Sequence, residues 1–565
     1  MDLKLVKRDL LKGIRECSER GLHFSVKWLA ELNYAIKHVK LDAADYAVDS
    51  GLLDDDLDNY TLAKSYFDIK EYDRSAYFVR DCSQPKCRFI YFYASYLSIE
   101  KKKLDSMTDK NCPPDQRKNQ ALKDLCALIK QDYYERKLDG YCLYLYGVIL
   151  KKLDLTSLAI DVFVESIAVA PLLWSSWLEL ALLIPSKNKL NSLILPDHWI
   201  KQFFLAYVYL EQLNNDEALD ICTRLQVEGF ENSTFIKAQT AIVYHNKRDL
   251  NKAIETYQDL LAEDPYRLDN MDTYSNVLYV NEMKSELADL AQSAVSIDKY
   301  RVETCCVIGN YYSLRSDHGK AVLYFQRALK LNPHYLSAWT LIGHEFMEMK
   351  NTNAAIHSYR RAIEINRRDY RAWYGLGQTY EILKMPCYSL HYYKQSQQLR
   401  PNDSRMLIAL GETYERLEKI ENALKCYFKA CHVGDIEGIA IVKLAKLYDR
   451  LSLVDNAAAA YTEYCLKENE TKGSGYDDHM EFYSAFQYLA NYHLKKGQLD
   501  DAYTYAYKCL ENEETKEQAK ALLKSIAARR GEPEVETVPM DETGNTSVKN
   551  DTNMSTMDMI LSPPY

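Results

Sequence analysis

A small residue recurs at a fixed step of 34 through the middle of this chain: Ala241, Ser275, Gly309, Gly343, Gly377, Gly411 and Ala445. Three positions after each stands an aromatic residue or a leucine: Tyr244, Leu278, Tyr312, Phe346, Tyr380, Tyr414 and Tyr448. Twelve positions after each comes Ala253, Leu287, Ala321, Ala355, Ser389, Ala423 or Ala457. A period of this length, with small residues where helices touch, is that of a helix–turn–helix unit. One such pair of helices cannot bury both of its apolar faces, so the units must stack, and stability becomes a sum of nearest-neighbour terms. The pattern therefore predicts an all-α solenoid.

The unit from Val302 to Tyr335 shows how the residues divide the work. Its first helix carries Ile308, Gly309 and Tyr312, and its second carries Ala321, Phe325 and Ala328. Gly309 and Ala321 let the two helices approach, while Tyr312 and Phe325 fill the space beside them. Asn332-Pro333 ends the second helix, because proline disfavours helical geometry in the residue before it; Asp264-Pro265 and Arg400-Pro401 repeat that stop. This is the tetratricopeptide period, and it predicts a superhelical tetratricopeptide-repeat solenoid. It also accounts for 46 tyrosines, which at helical spacing pack between helices.

Along the 565 residues the rhythm divides the chain. Residues 1–55 read as an N-terminal helical segment of two helices meeting at Gly21. Residues 56–184 read as an N-terminal arm of degenerate repeats, with a polar loop or insertion over 101–120. A linker is expected at 185–198, a regular C-terminal array over 199–471, an insertion over 472–482, and a last helical pair with a capping helix over 483–530. The polar, acidic stretch 531–565 has too little apolar content to fold and is expected to be disordered. A net charge of −10 argues against broad binding to nucleic acid or anionic lipid. The fourteen cysteines form no Cys-x-x-Cys and read as reduced thiols of a nuclear or cytoplasmic chain. The apolar run near Trp177–Ile184 is too short to span a membrane.

Catalytic and metal motifs fail one by one. His344-Glu345-Phe346-Met347-Glu348 starts like a zinc-protease helix, but Glu348 stands where the second histidine is needed. Gly375-Leu376-Gly377 lacks the third glycine of a dinucleotide fingerprint, with Tyr380 in its place. No phosphate-binding loop occurs, and the twelve histidines show no metal spacing. The chain is expected to be no enzyme and to need no cofactor or metal. Binding is left, on the concave face that first helices line in such solenoids. The candidates there are Asn310, His344, Glu345, Arg371, Tyr374, Gln378, Glu381 and Glu412, with Arg405 beside them. A carboxylate clamp of the co-chaperone kind fits at Asn310 and Arg371 but meets Cys306, Leu341 and Gly375 elsewhere. The asparagine ladder of sugar-transferase arrays is replaced by Val307, Leu341, Gly375 and Ala409.

Three stretches are specific beyond repeat residues: Cys305–Tyr312, Ala338–Glu345 and Arg371–Glu381. With them, the region from about Thr273 to Leu410 resembles the anaphase-promoting complex subunit 8 (cell division cycle protein 23) family, and Arg20-Gly21-Leu22 followed by Lys27-Trp28 resembles that family's N-terminal segment. The resemblance implies a non-catalytic scaffold subunit of a cell-cycle ubiquitin ligase, contacting other subunits of the complex and forming a homodimer through the N-terminal arm. It further implies a C-terminal groove that accepts the C-box, an arginine-bearing motif of β-propeller coactivators, with Asn310 and Glu345 as its best-placed contacts. A free peptide-binding adaptor, of co-chaperone or transport type, is the alternative. It would be monomeric with one groove ligand.

Overall fold

The computed structural model describes residues 2–39, 54–108, 116–434, 438–471, 479–511 and 513–530, apart from 83, 185 and 213. Among the described residues all regular structure is helical, in antiparallel pairs that stack on their sequence neighbours. The expected tail from 531 lies outside them. Two compact units divide between Lys299 and Tyr300.

The sharpest punctuation is one the sequence does not advertise. Arg248, Glu282, Ser316, Lys350, Lys384, Glu418 and Ser452, again 34 apart, all adopt φ between 54° and 63°. None is a glycine, yet each sits just past the first helix of its pair, where a left-handed residue lets the chain reverse. At Lys350 the reversal closes with two bonds: Lys350 N–H donates to Met347 C=O at 2.9 Å and Asn351 N–H to Phe346 C=O at 2.8 Å. The same outer bond recurs as Asp317 to Tyr312, Met385 to Tyr380, Lys419 to Tyr414 and Leu453 to Tyr448.

In four successive pairs of the second unit the glycine at the core faces a ring, not a backbone. A Cβ at Gly309 would lie 2.5 Å from Phe325, at Gly343 2.5 Å from Tyr359, at Gly377 2.4 Å from Tyr393, and at Gly411 2.4 Å from Tyr427. Phe325, Tyr359, Tyr393 and Tyr427 are among the largest fully buried side chains. Each ring serves its own pair and the next, as Tyr359 does by lying against both Gly343 and Gly375. Two buried clusters here are short, one joining Cys305 to Ile342 and another Ala355 to Tyr380, while a longer one runs from Leu407 through Tyr427 and Ala445 to Leu489.

The first unit is built differently. One buried cluster runs from Val6 through Phe89, Trp174 and Phe203 to Ile236. Residues 185–198 do not divide it: Ile184 and Ile200 on either side are buried and Leu190 anchors the stretch between them, while the rest of the connection, with its short helix Lys187–Asn191, runs largely exposed, Ile194 at 91%. Residues 101–120 are helical at both ends, within Pro85–Thr108 and Gln116–Tyr134. In the second unit, the insertion expected at 472–482 is entered by the helix His479–Lys496.

Nor do residues 1–55 stand apart. α1 (Leu3–Glu19) and α2 (His23–Ala35) form a hairpin about Gly21, whose φ of +73° makes the turn. The hairpin lies across the starts of first helices far along the chain. Trp28 stacks on Trp174 at 4.0 Å between ring centres and 3° between planes, with Phe203 and Phe235 edge-on at 5.7 and 5.8 Å.

Candidate peptide-binding groove

Five first helices present the second unit's binding face: Val302–Leu314, Leu336–Glu348, Tyr370–Ile382, Ser404–Arg416 and Ile439–Arg450. Because the repeat is 34 residues, side chains 34 apart form rows across them. One row is Asn310, His344, Gln378, Glu412 and Lys446; a second, three residues on, is Ser313, Met347, Glu381, Glu415 and Asp449. A concavity of about 1080 Å³ opens between the middle pairs. His344, Met347, Glu348, Gln378, Glu381, Ile382, Thr413 and Arg416 line it from the first helices.

Three of the residues expected from sequence therefore meet in one place: His344, Gln378 and Glu381. His344 Nδ1 lies 2.8 Å from the Tyr359 hydroxyl. Burial, and then the charge of Arg371, pull its pKa down to about 4, so the imidazole is neutral at physiological pH. Glu381 accepts from the Tyr393 hydroxyl at 2.6 Å and pairs with Arg416 at 2.6 Å. One repeat on, Glu415 accepts from the Tyr427 hydroxyl and pairs with Arg450. A phenol of the second helix, a carboxylate of the first and a guanidinium of the next pair thus form a repeating ladder. Burial, with the adjacent carboxylates, pushes the Tyr393 and Tyr427 hydroxyls well above the usual phenol range, so they stay protonated donors.

Tyr374 packs its ring 5.3 Å from that of Tyr393. Arg371 donates from Nε to the Tyr370 hydroxyl at 3.4 Å, and Glu412 pairs with Lys443 at 3.0 Å. None of these three lines the concavity itself, and Arg405 stands exposed at its helix start.

Glu345 is a correction. It is 5% exposed, takes a hydrogen bond from Ser313 Oγ at 2.6 Å and lies 2.9 Å from His318 Nδ1, inside the contact between adjacent pairs. The reason is arithmetic. Asn310 and Glu345 are 35 apart, one more than the period, and a single residue turns a side chain by about 100° around a helix. Glu345 falls instead in the row of Thr379 and Thr413, both buried. Asn310 is in the right row but only 2% exposed, so it too is part of the packing. What sequence reasoning missed were Met347, Glu348, Ile382 and Arg416. The sequence signal was the row alone, Glu348, Ile382 and Arg416 by the 34 step; that Ile382 stands 61% exposed in it is shown by the packing.

The concavity offers a neutral imidazole, an amide, two carboxylates, the cations of Lys350, Lys384 and Arg416, and an apolar strip of Met347 and Ile382.

Residues 5–241 match the family described as anaphase promoting complex subunit 8 / Cdc23, and tetratricopeptide-repeat families match within 302–335, 343–382 and 404–431. The chain is 52% identical over 301 residues to the human cell division cycle protein 23 homolog, covering 52% of this chain and 50% of that one. It is 43% identical over 272 residues to anaphase-promoting complex subunit 8 of Arabidopsis thaliana, covering 47% and 46%. Over 412 residues it is 33% identical to anaphase-promoting complex subunit CDC23 of Saccharomyces cerevisiae, covering 56% and 65%. The chain spans about half the length of the first of these relatives. The fold is shared with a chain from the crystal structure of the APC/C hetero-tetramer Cut9-Hcn1, at a TM-score of 0.56 and 17% identity, covering 92% of this chain and 96% of that one. The family resemblance read from the sequence is thus to the anaphase-promoting complex subunit 8 / Cdc23 family, whose match covers the degenerate N-terminal repeats.

Proposed function

We propose that this chain is a non-catalytic scaffold subunit of the anaphase-promoting complex, a cell-cycle ubiquitin ligase, working in nucleus and cytoplasm. The observation that carries this reading is the 52% identity over 301 residues to a relative named as cell division cycle protein 23 homolog. As a scaffold it joins other subunits of the complex and forms a homodimer through its N-terminal arm. Exposed Tyr77, Leu128, Tyr134, Leu158 and Val169 give that arm apolar surface for the contact. Native purification of the tagged chain tests the reading: it should elute in an assembly many times its 65.6 kDa mass. Elution at monomer mass with a single peptide ligand would favour a free adaptor.

The finer reading is that the second unit's concavity takes the C-box of a β-propeller coactivator. Its contacts are reassigned to His344, Gln378, Glu348 and Glu381, with Tyr374, Arg371 and Glu412 on the flanks. Glu348 is exposed, so Glu348→Lys replaces one of the concavity's two carboxylates with a cation, beside Lys350, Lys384 and Arg416, while leaving stability within about 0.5 kcal/mol. Capture of a coactivator N-terminal peptide should fall about tenfold or more. Unchanged capture would remove this concavity from the reading.

A further inference from the structure

The rings that face the core glycines of the second unit repeat at 34, as Phe325, Tyr359, Tyr393 and Tyr427. Three of them carry a hydroxyl, and each hydroxyl reaches a polar side chain on the first helix of its own pair. Tyr393 and Tyr427 reach the second row of the binding face, at Glu381 and Glu415. Tyr359 finds no carboxylate there, because its pair carries Met347 in that row. Its hydroxyl meets the first row instead, at His344 Nδ1 and 2.8 Å, with the two rings edge to face at 5.5 Å between centres.

Which partner carries the proton follows from the chemistry of the pair. A carboxylate only accepts, so Tyr393 and Tyr427 are donors. Tyr359 has no other hydrogen-bond partner among the described residues, so its proton is used only by donating to Nδ1, and an imidazole nitrogen, basic near neutral pH, suits that role. Burial, with Glu345 and Glu348 close by, pushes the Tyr359 hydroxyl well above the usual phenol range and keeps the proton on it. A neutral imidazole that accepts at Nδ1 carries its hydrogen on Nε2. Nε2 has no hydrogen-bond partner among the described residues, and His344 lines the concavity.

We propose that Tyr359 holds His344 in its Nε2–H tautomer, so that the pair gives the concavity a hydrogen-bond donor and selects there a carbonyl oxygen of the bound peptide. Tyr359 is a positioning residue: it does not line the concavity and acts through the ring of His344. An extended peptide brings a main-chain carbonyl at every residue, and a fixed donor picks one of them, which sets the peptide's register. A basic side chain finds no acceptor at His344 and must go to the carboxylates of Glu348 and Glu381. The floor thus reads backbone at one point and charge at others. The carbonyl contact rests on the reading that a peptide fills the concavity; the tautomer does not.

Nuclear magnetic resonance of the full chain, with nitrogen-15 in its histidines, tests the tautomer without a ligand. The His344 signals, identified by their loss in His344→Gln, should show a protonated Nε2 and a bare Nδ1 that accepts a hydrogen bond. In Tyr359→Phe, which keeps the ring against Gly343 and Gly375, the two nitrogen signals should move toward each other as the tautomers mix. A proton on Nδ1 in the natural chain, or signals that Tyr359→Phe leaves in place, overturns the proposal. Binding is read with a coactivator N-terminal peptide and with versions in which single backbone amides are replaced by esters, whose carbonyls accept more weakly. One ester should cost about threefold to tenfold on the natural chain and nothing on His344→Phe. Ester losses that are the same on both chains overturn the carbonyl contact. A peptide that fails to bind the natural chain at all removes the C-box reading, and the histidine signals alone then decide the tautomer.

Discussion

The two units are made from the same helical pair and held together by opposite means. In the second, four successive pairs each close on a glycine and a ring, and the buried clusters are short as far as Tyr380, with a longer one from Leu407 to Leu489 beyond them. In the first, the phase is loose, and one cluster from Val6 to Ile236 does the joining, with α1 and α2 laid across helices far away in sequence. Strict periodicity makes stability local. Where it is lost, long-range contacts must replace it, and those couple many pairs at once.

The largest expected effect breaks the long-range side. Trp28→Ala removes a buried indole from a four-ring cluster and should cost about 3–5 kcal/mol. The loss should appear together in the helices Trp174–Leu183, Ile200–Glu211 and Thr234–Lys247, followed by hydrogen exchange. Glu345→Lys is its counterpart in the second unit. It places a cation beside His318 in a buried site and removes the acceptor of the Ser313 hydroxyl, a loss of about 3–5 kcal/mol. Here the loosening should stay within Val302–Leu331 and Leu336–Ile365.

Gly377→Leu is a smaller perturbation of the same local kind. Even a methyl would press the Tyr393 ring, so the extra carbons should cost about 1–3 kcal/mol, seen as a drop in the denaturant midpoint. Of similar size is the effect of pH on His344. Its folded pKa, about 4, lies below the ordinary 6.5, so the unfolded chain binds the proton more readily. The contribution of His344 is complete above about pH 6.5 and is lost as pH falls toward 4, at roughly 1 kcal/mol per unit. In His344→Gln that part of the acid sensitivity should vanish from the second unit.

The regular array was legible because every unit repeats the same local solution, so Gly309, Gly343, Gly377 and Gly411 announce one another. The left-handed turns at Lys350 and Lys384 were hidden, since a lysine there carries no mark of its backbone conformation. The hairpin was visible as two helices meeting at Gly21, but its docking was not. Nothing local in Trp28 names Trp174, 146 residues on. The groove was half legible. Counting in steps of 34 gives His344 and Gln378 from Asn310, whereas a step of 35 led to Glu345 and into the core. Sequence spacing gives the row; only packing tells which members of a row are open, as Asn310 shows at 2% exposed.

Native-state hydrogen exchange across the full chain in rising denaturant tests the contrast most directly. The account predicts that amides from α1 through the helix Thr234–Lys247 open with a common free energy and a common denaturant slope. Those of the second unit should open in steps the size of one or two pairs, ordered along the stack. A first unit that opens pair by pair, with α1 and α2 exchanging independently of Trp174–Leu183, would contradict it.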